Sequence, residues 1–212
     1  NVQKALDEIR TGTEAIVMSF LPNAPPALIH TDDTGDTLSN IFEVVLEVRN
    51  KGAYPQPENR DTWPEGRIFL SGYDTNIIRF DKDPAVEELR GKALEGKSPI
   101  NPNGGLDLIS FKGTIFTENL NVEKYEPTLL ATACYEYLTI AGPSVCIDPN
   151  PYSIIKERKV CQVNDLTLSS QGAPIAVTRI DEEALAAKTQ FRITIKNVGG
   201  GDVIQLQSLN KC

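Results

Sequence analysis

IFEVVLEVRNKG, residues 41–52, alternates without a break. Phe42, Val44, Leu46 and Val48 fall on one face, and Glu43, Val45, Glu47 and Arg49 on the other. A period of two means extended backbone, and one apolar face means a strand half-buried in an antiparallel sheet. Asn50-Lys51-Gly52 ends the run with turn residues. Just upstream, EAIVMSFLP (14–22) is a second strand, closed by Pro22. A turn-rich connection with Pro25 and Pro26 joins the two and ends in the acidic run Asp32-Asp33-Thr34-Gly35-Asp36.

Downstream the pattern persists. After a loop with Pro55, Pro57, Pro64 and Gly66, strands are expected at 67–74, 76–80, 106–116 and 128–142. SVCID (144–148) is expected to pair back across the turn at Ala141–Ser144, and PAVEELRGKALEG to form a short helix. Beyond Pro149 and Pro151 come three more alternating runs, at 173–181, 189–201 and 202–212. Short strands punctuated by Gly and Pro, with no strong helix between them, predict an all-β antiparallel sandwich rather than an α/β fold. One exception is VQKALDEIR (2–10), where Val2, Ala5, Leu6 and Ile9 stand at helical spacing. So short a helix needs a surface to pack on.

The stretch Phe42 to Gly52 matches Phe191-Arg-Ile-Thr-Ile-Lys-Asn197-Val-Gly199, and each follows an apolar strand. An apolar strand, a connection and then F-x-V-x-L-x-V-x-N-x-G resembles the opening of Ig-like β-sandwich modules of the CARDB type, common in archaeal and bacterial surface proteins. ACYEY (133–137) and VCIDPNPY (145–152) extend the resemblance towards membrane-anchored surface proteins of small, symbiotic-type archaea. The resemblance implies a fold and a surface location, and brings no catalytic residue with it. The expected organisation is an N-terminal helical segment (1–12), an Ig-like sandwich with loop insertions (13–150) and a second Ig-like module (151–212) that is short or incomplete. Three or four strands leave a sheet edge and an apolar face open. Such a module is completed by further chain past Cys212, by a strand from another subunit, or by packing on the first module. Strand donation joins subunits head to tail, and an open series of such contacts makes a filament. The segment Val2 to Leu21 is the natural donor, so Val2, Leu6, Ile9, Ile16, Met18 and Phe20 are the interface candidates.

Composition narrows function by exclusion. The 212 residues carry a formal charge of −8, which argues against nucleic acid or anionic lipid as the main partner. A single histidine excludes His-pair metal motifs and makes triad chemistry a poor fit. That residue, His30, sits beside a proline-rich turn and reads as a loop histidine. Cys134, Cys146, Cys161 and Cys212 form no CxxC and lack a nearby histidine, so they read as disulfides in an oxidising compartment. Pairing of Cys146 with Cys161 would clip a proline-rich segment, and Cys134 with Cys212 would tie the modules together. Three connectivities remain open. Asp32, Asp33 and Asp36 are a weak calcium candidate without the EF-hand pattern, and Asp81 and Asp83 form a second acidic pair. Tyr54, Trp63 and Tyr73 suit packing or a sugar or protein contact, packing being favoured.

No apolar run approaches the ~20 residues of a membrane span, and the chain has no Asn-x-Ser/Thr sequon. A membrane connection is expected only through an upstream anchor, and no cofactor is expected. The main expectation is a non-enzymatic, extracellular structural protein that self-associates into a filament or surface layer. The rivals are a monomeric ligand- or sugar-binding ectodomain and an accessory domain of a secreted enzyme.

Overall fold

The structure is a computed structural model and describes residues 9–31, 40–55, 66–116, 123–153, 159–185, 188–205 and 209. Among the described residues ten strands follow in chain order: β1 (Ile16–Phe20), β2 (Ile41–Asn50), β3 (Gly66–Ser71), β4 (Ile78–Phe80), β5 (Val86–Glu88), β6 (Leu106–Ile115), β7 (Leu130–Tyr135), β8 (Leu166–Thr167), β9 (Ile175–Leu185) and β10 (Lys188–Asn197). They form three antiparallel sheets, ordered β1-β2-β6-β4, β5-β3-β7 and β10-β9-β8. The chain is all-β, as the period of two predicts.

The first two sheets enclose one core. Val44, Leu46 and Val48 of β2, together with Ile68 of β3, are fully buried, and Ile109 and Phe111 of β6 pack among them. Each such side chain stabilises the fold by about 1.5–3 kcal/mol. The cross-strand pairs Val44 with Phe111 and Leu46 with Ile109 fix the register of β2 on β6. Phe80 closes one end, meeting Phe42, Tyr73 and Phe111 edge to face at centroid distances of 5.8, 5.0 and 6.3 Å.

Three local expectations are corrected. PAVEELRGKALEG is not helical: Val86–Glu88 pairs with β3 and the Leu89 amide donates to Gly66 O at 2.8 Å. Val86, Leu89 and Ala93 stand at i, i+3 and i+7, which mimics a helical face, but the open edge of β3 takes the chain as a strand. SVCID does not pair back, and residues 136–148 belong to no strand. Pro143 and Pro149 bracket it, and its Cys146 is drawn aside to Cys161. Residues 202–205 form no strand either. The predicted N-terminal helix lies outside the described residues except at its last two.

Candidate functional site

Where the sandwich meets the C-terminal sheet, one carbonyl gathers the contacts. Gly172 O accepts from the Tyr137 hydroxyl at 2.6 Å and from the Ala53 amide at 2.8 Å. The same hydroxyl oxygen accepts from the Tyr54 amide at 3.2 Å. Thr139 Oγ1 donates to Ile175 O at 2.7 Å, and the Gly12 amide donates to Ser170 Oγ at 2.9 Å. Tyr54 and Tyr135 meet the Tyr137 ring edge to face. Burial pushes the Tyr137 phenol up to about 12, against the smaller opposing effect of its backbone hydrogen bonds. Burial also raises Tyr135. Gly52 is required here, because a Cβ on it would lie 2.0 Å from Tyr137 Oη. Asn50-Lys51-Gly52 is therefore the seat of the junction as well as a turn. Asn50 is fully buried, donating through Nδ2 to Tyr54 O and Leu94 O.

The internal repeat has a structural counterpart. Asn50 Oδ1 accepts from the Gly52 amide at 2.9 Å, and Asn197 Oδ1 accepts from the Gly199 amide at 3.2 Å. Ile16 of β1 stands opposite Asn50, and Ile175 of β9 stands opposite Asn197. The next amide returns to the preceding strand in both: Lys51 to Ala15 O and Val198 to Pro174 O, each at 2.8 Å. Aligned on these turns, Val44, Leu46 and Val48 correspond to Phe191, Ile193 and Ile195. The environments diverge. The first three are 0% exposed, whereas the second three are 38%, 57% and 64% exposed. In the sandwich, β2 has β6 along its second edge; among the described residues, β10 has nothing there. The C-terminal sheet thus presents a bare apolar strip on an edge strand.

A second open element is the run 136–148. Among the described residues it makes no backbone–backbone hydrogen bond, and Leu138, Ile140, Val145 and Ile147 are exposed. The Cys146–Cys161 disulfide, with Cα atoms 5.9 Å apart, tethers it. Lys159 Nζ, 2.6 Å from Asp148 Oδ2, adds an ion pair and holds the Asp148 carboxyl below its usual range.

Cys134 is disulfide-bonded as well; Cys212 lies outside the described residues. So do Val2, Leu6, Trp63 and the calcium candidates Asp32, Asp33 and Asp36. Ile16, Met18 and Phe20 lie on β1, with Ile16 and Met18 against the sandwich core and Phe20 partly exposed. β1 is thus paired within its own chain, on β2; among the described residues no strand pairs its other edge, where the Ile16 amide donates to Tyr135 Oη at 3.4 Å. Tyr54 and Tyr73 are packing residues in this fold. His30 lines an open cleft of about 490 Å³ beside Leu28, Ile41 and Glu43, and among the described residues no cysteine or serine lines it. Lys82, Lys92 and Lys112 line a cleft of about 320 Å³ between β4, β5 and β6, together with Asp81 and Glu87, and Lys82 Nζ is ion-paired with Glu87 Oε1 at 2.7 Å. Among the described residues no group of three His, Cys, Asp or Glu side chains is placed to hold a metal ion. No family model, curated protein or solved structure matches the chain.

Proposed function

We propose that the chain is a structural protein of the cell exterior that self-associates through open β edges, building a filament or surface layer. The observation that carries this reading is the Phe191, Ile193 and Ile195 strip, patterned like the buried Val44, Leu46 and Val48 yet exposed to solvent. An exposed, ten-residue edge strand with an apolar face is a template for another strand. Covering it recovers about 25 cal/mol for each Å² of apolar surface removed from water. The Cys146–Cys161 disulfide supports an oxidising compartment. Among the described residues no helix is long and apolar enough to cross a membrane, and the reading places any anchor outside this stretch of chain.

Sedimentation velocity of the non-reduced chain over rising concentration tests the reading. The expected result is a mass that grows with concentration for the wild type and stays monomeric for Ile193→Asp. A wild type that stays monomeric throughout contradicts it. One observation favours a second reading, a binding ectodomain: Lys92 and Lys112, in the cleft beside the Lys82–Glu87 ion pair, suit an acidic ligand. That reading predicts the constant monomer.

A further inference from the structure

We infer that β10 pairs antiparallel, edge to edge, with β10 of a second copy across a two-fold axis at Ile193. The inference rests on the self-association reading and names its contact. Two independent observations support it. The first is the repeat: β10 matches β2 in pattern, terminal turn and register with the strand before it, and β2 carries the ten-residue antiparallel strand β6 on the edge that β10 leaves open.

The second observation is that β10 complements itself when an apolar residue of the strip sits on the axis, and the longest such pairing is centred on Ile193. With Ile193 opposite Ile193, Phe191 lies opposite the second copy's Ile195 on the apolar face. On the other face, Arg192 meets Thr194, Gln190 meets Lys196 and Lys188 meets Val198, so no two cations are opposed. Sliding the strand to place residue 192 on the axis sets Arg192 against Arg192 and Lys188 against Lys196. Placing residue 194 there sets Arg192 against Lys196. Directly opposed like charges destabilise a strand pair. A slip that opposes residues of unlike parity turns the apolar strip of one copy against the polar face of the other. β10 itself runs without a bulge, because the irregularity at Thr194/Ile195 places its extra residue, Thr178, on β9. Axes at Phe191 and Ile195 also keep the cations apart, but they pair only seven and five residues of β10, against nine about Ile193.

Such an isologous contact closes on itself. A filament or layer needs a second contact, for which the edge of β1 that no described strand pairs and the run 136–148 remain.

Cysteine cross-linking of the full chain, with its native disulfides intact, tests the register. Directly opposed residues in antiparallel strands have Cα atoms about 4.5–5.5 Å apart, within reach of a disulfide. Mild oxidation of Ile193→Cys is expected to give a covalent dimer as the main product. Gln190→Cys and Lys196→Cys are each expected to stay monomeric alone and to cross-link when mixed. The mixed pair leaves the apolar strip intact, so it reports even where Ile193→Cys fails to fold. Absence of dimer in both arms, or equal self-cross-linking of Gln190→Cys, overturns the β10 contact. If the wild type still assembles in that case, self-association stands and another edge carries it; if it does not, both readings fall. A covalent dimer with no larger assembly upholds the β10 contact and removes the filament.

Discussion

Tyr137 does at the scale of one residue what the module junction needs. Its ring fills the space beside Tyr54 and Tyr135, and its hydroxyl bridges the Tyr54 amide and Gly172 O. Because burial raises its phenol to about 12 from an ordinary 10.0, the folded chain keeps a proton that the unfolded chain releases above pH 10. Its contribution is therefore intact below pH 10 and is lost as pH climbs towards 12, a change of about 2–3 kcal/mol. Tyr137→Phe is expected to cost about 1–2 kcal/mol at neutral pH, from lost hydrogen bonds, and to flatten the decline between pH 10 and 12. Urea unfolding of both proteins across that range checks it. Gly52→Ala must displace the same hydroxyl, and a loss of about 1–3 kcal/mol is expected in the same assay. In the sequence Gly52 was legible as a turn residue and no more. Its real constraint, a tyrosine oxygen 85 positions downstream, is a tertiary fact that no local pattern encodes.

Equivalent positions of the two repeats should behave differently in the single chain. Leu46 is sealed between two sheets, so Leu46→Ala is expected to cost about 2–5 kcal/mol. Ile193 occupies the matching place on β10 but is more than half exposed, so Ile193→Ala is expected to cost under about 1 kcal/mol in dilute solution. Denaturant unfolding well below any assembly concentration compares the two directly. The Cys146–Cys161 bridge closes 15 residues and contributes about 3 kcal/mol in the chain-entropy picture. Cys146→Ser with Cys161→Ser should lose about that much and speed amide exchange in 136–148. Strands such as β2, β6, β9 and β10 were legible because alternation is local. β5 was not: Val86, Leu89 and Ala93 keep a helix-like spacing, and only the vacant edge of β3 decides in favour of a strand. The return of 144–148 failed for a related reason, since a strand signal cannot reveal that Cys146 is drawn to Cys161 instead.

Across the whole molecule, a sandwich with a closed core carries a three-stranded sheet whose edge strand is dressed for burial and left in water. The strands of that sheet were legible, because the alternation in 173–181 and 189–201 is local. Which edge is bare was not legible, since Phe191 to Asn197 reads the same as Phe42 to Asn50 until a neighbour is assigned. The formal charge of −8 opposes association between copies, and added salt screens it. Self-association is therefore expected to strengthen from low to moderate ionic strength, as light scattering at fixed concentration would show. The central claim is that the chain is built to meet copies of itself. Electron microscopy of the native, non-reduced protein without any added partner tests it most directly. Ordered filaments or sheets, with density from a neighbouring copy along β10, are the predicted result. Uniform single particles of monomer size at every concentration would contradict it.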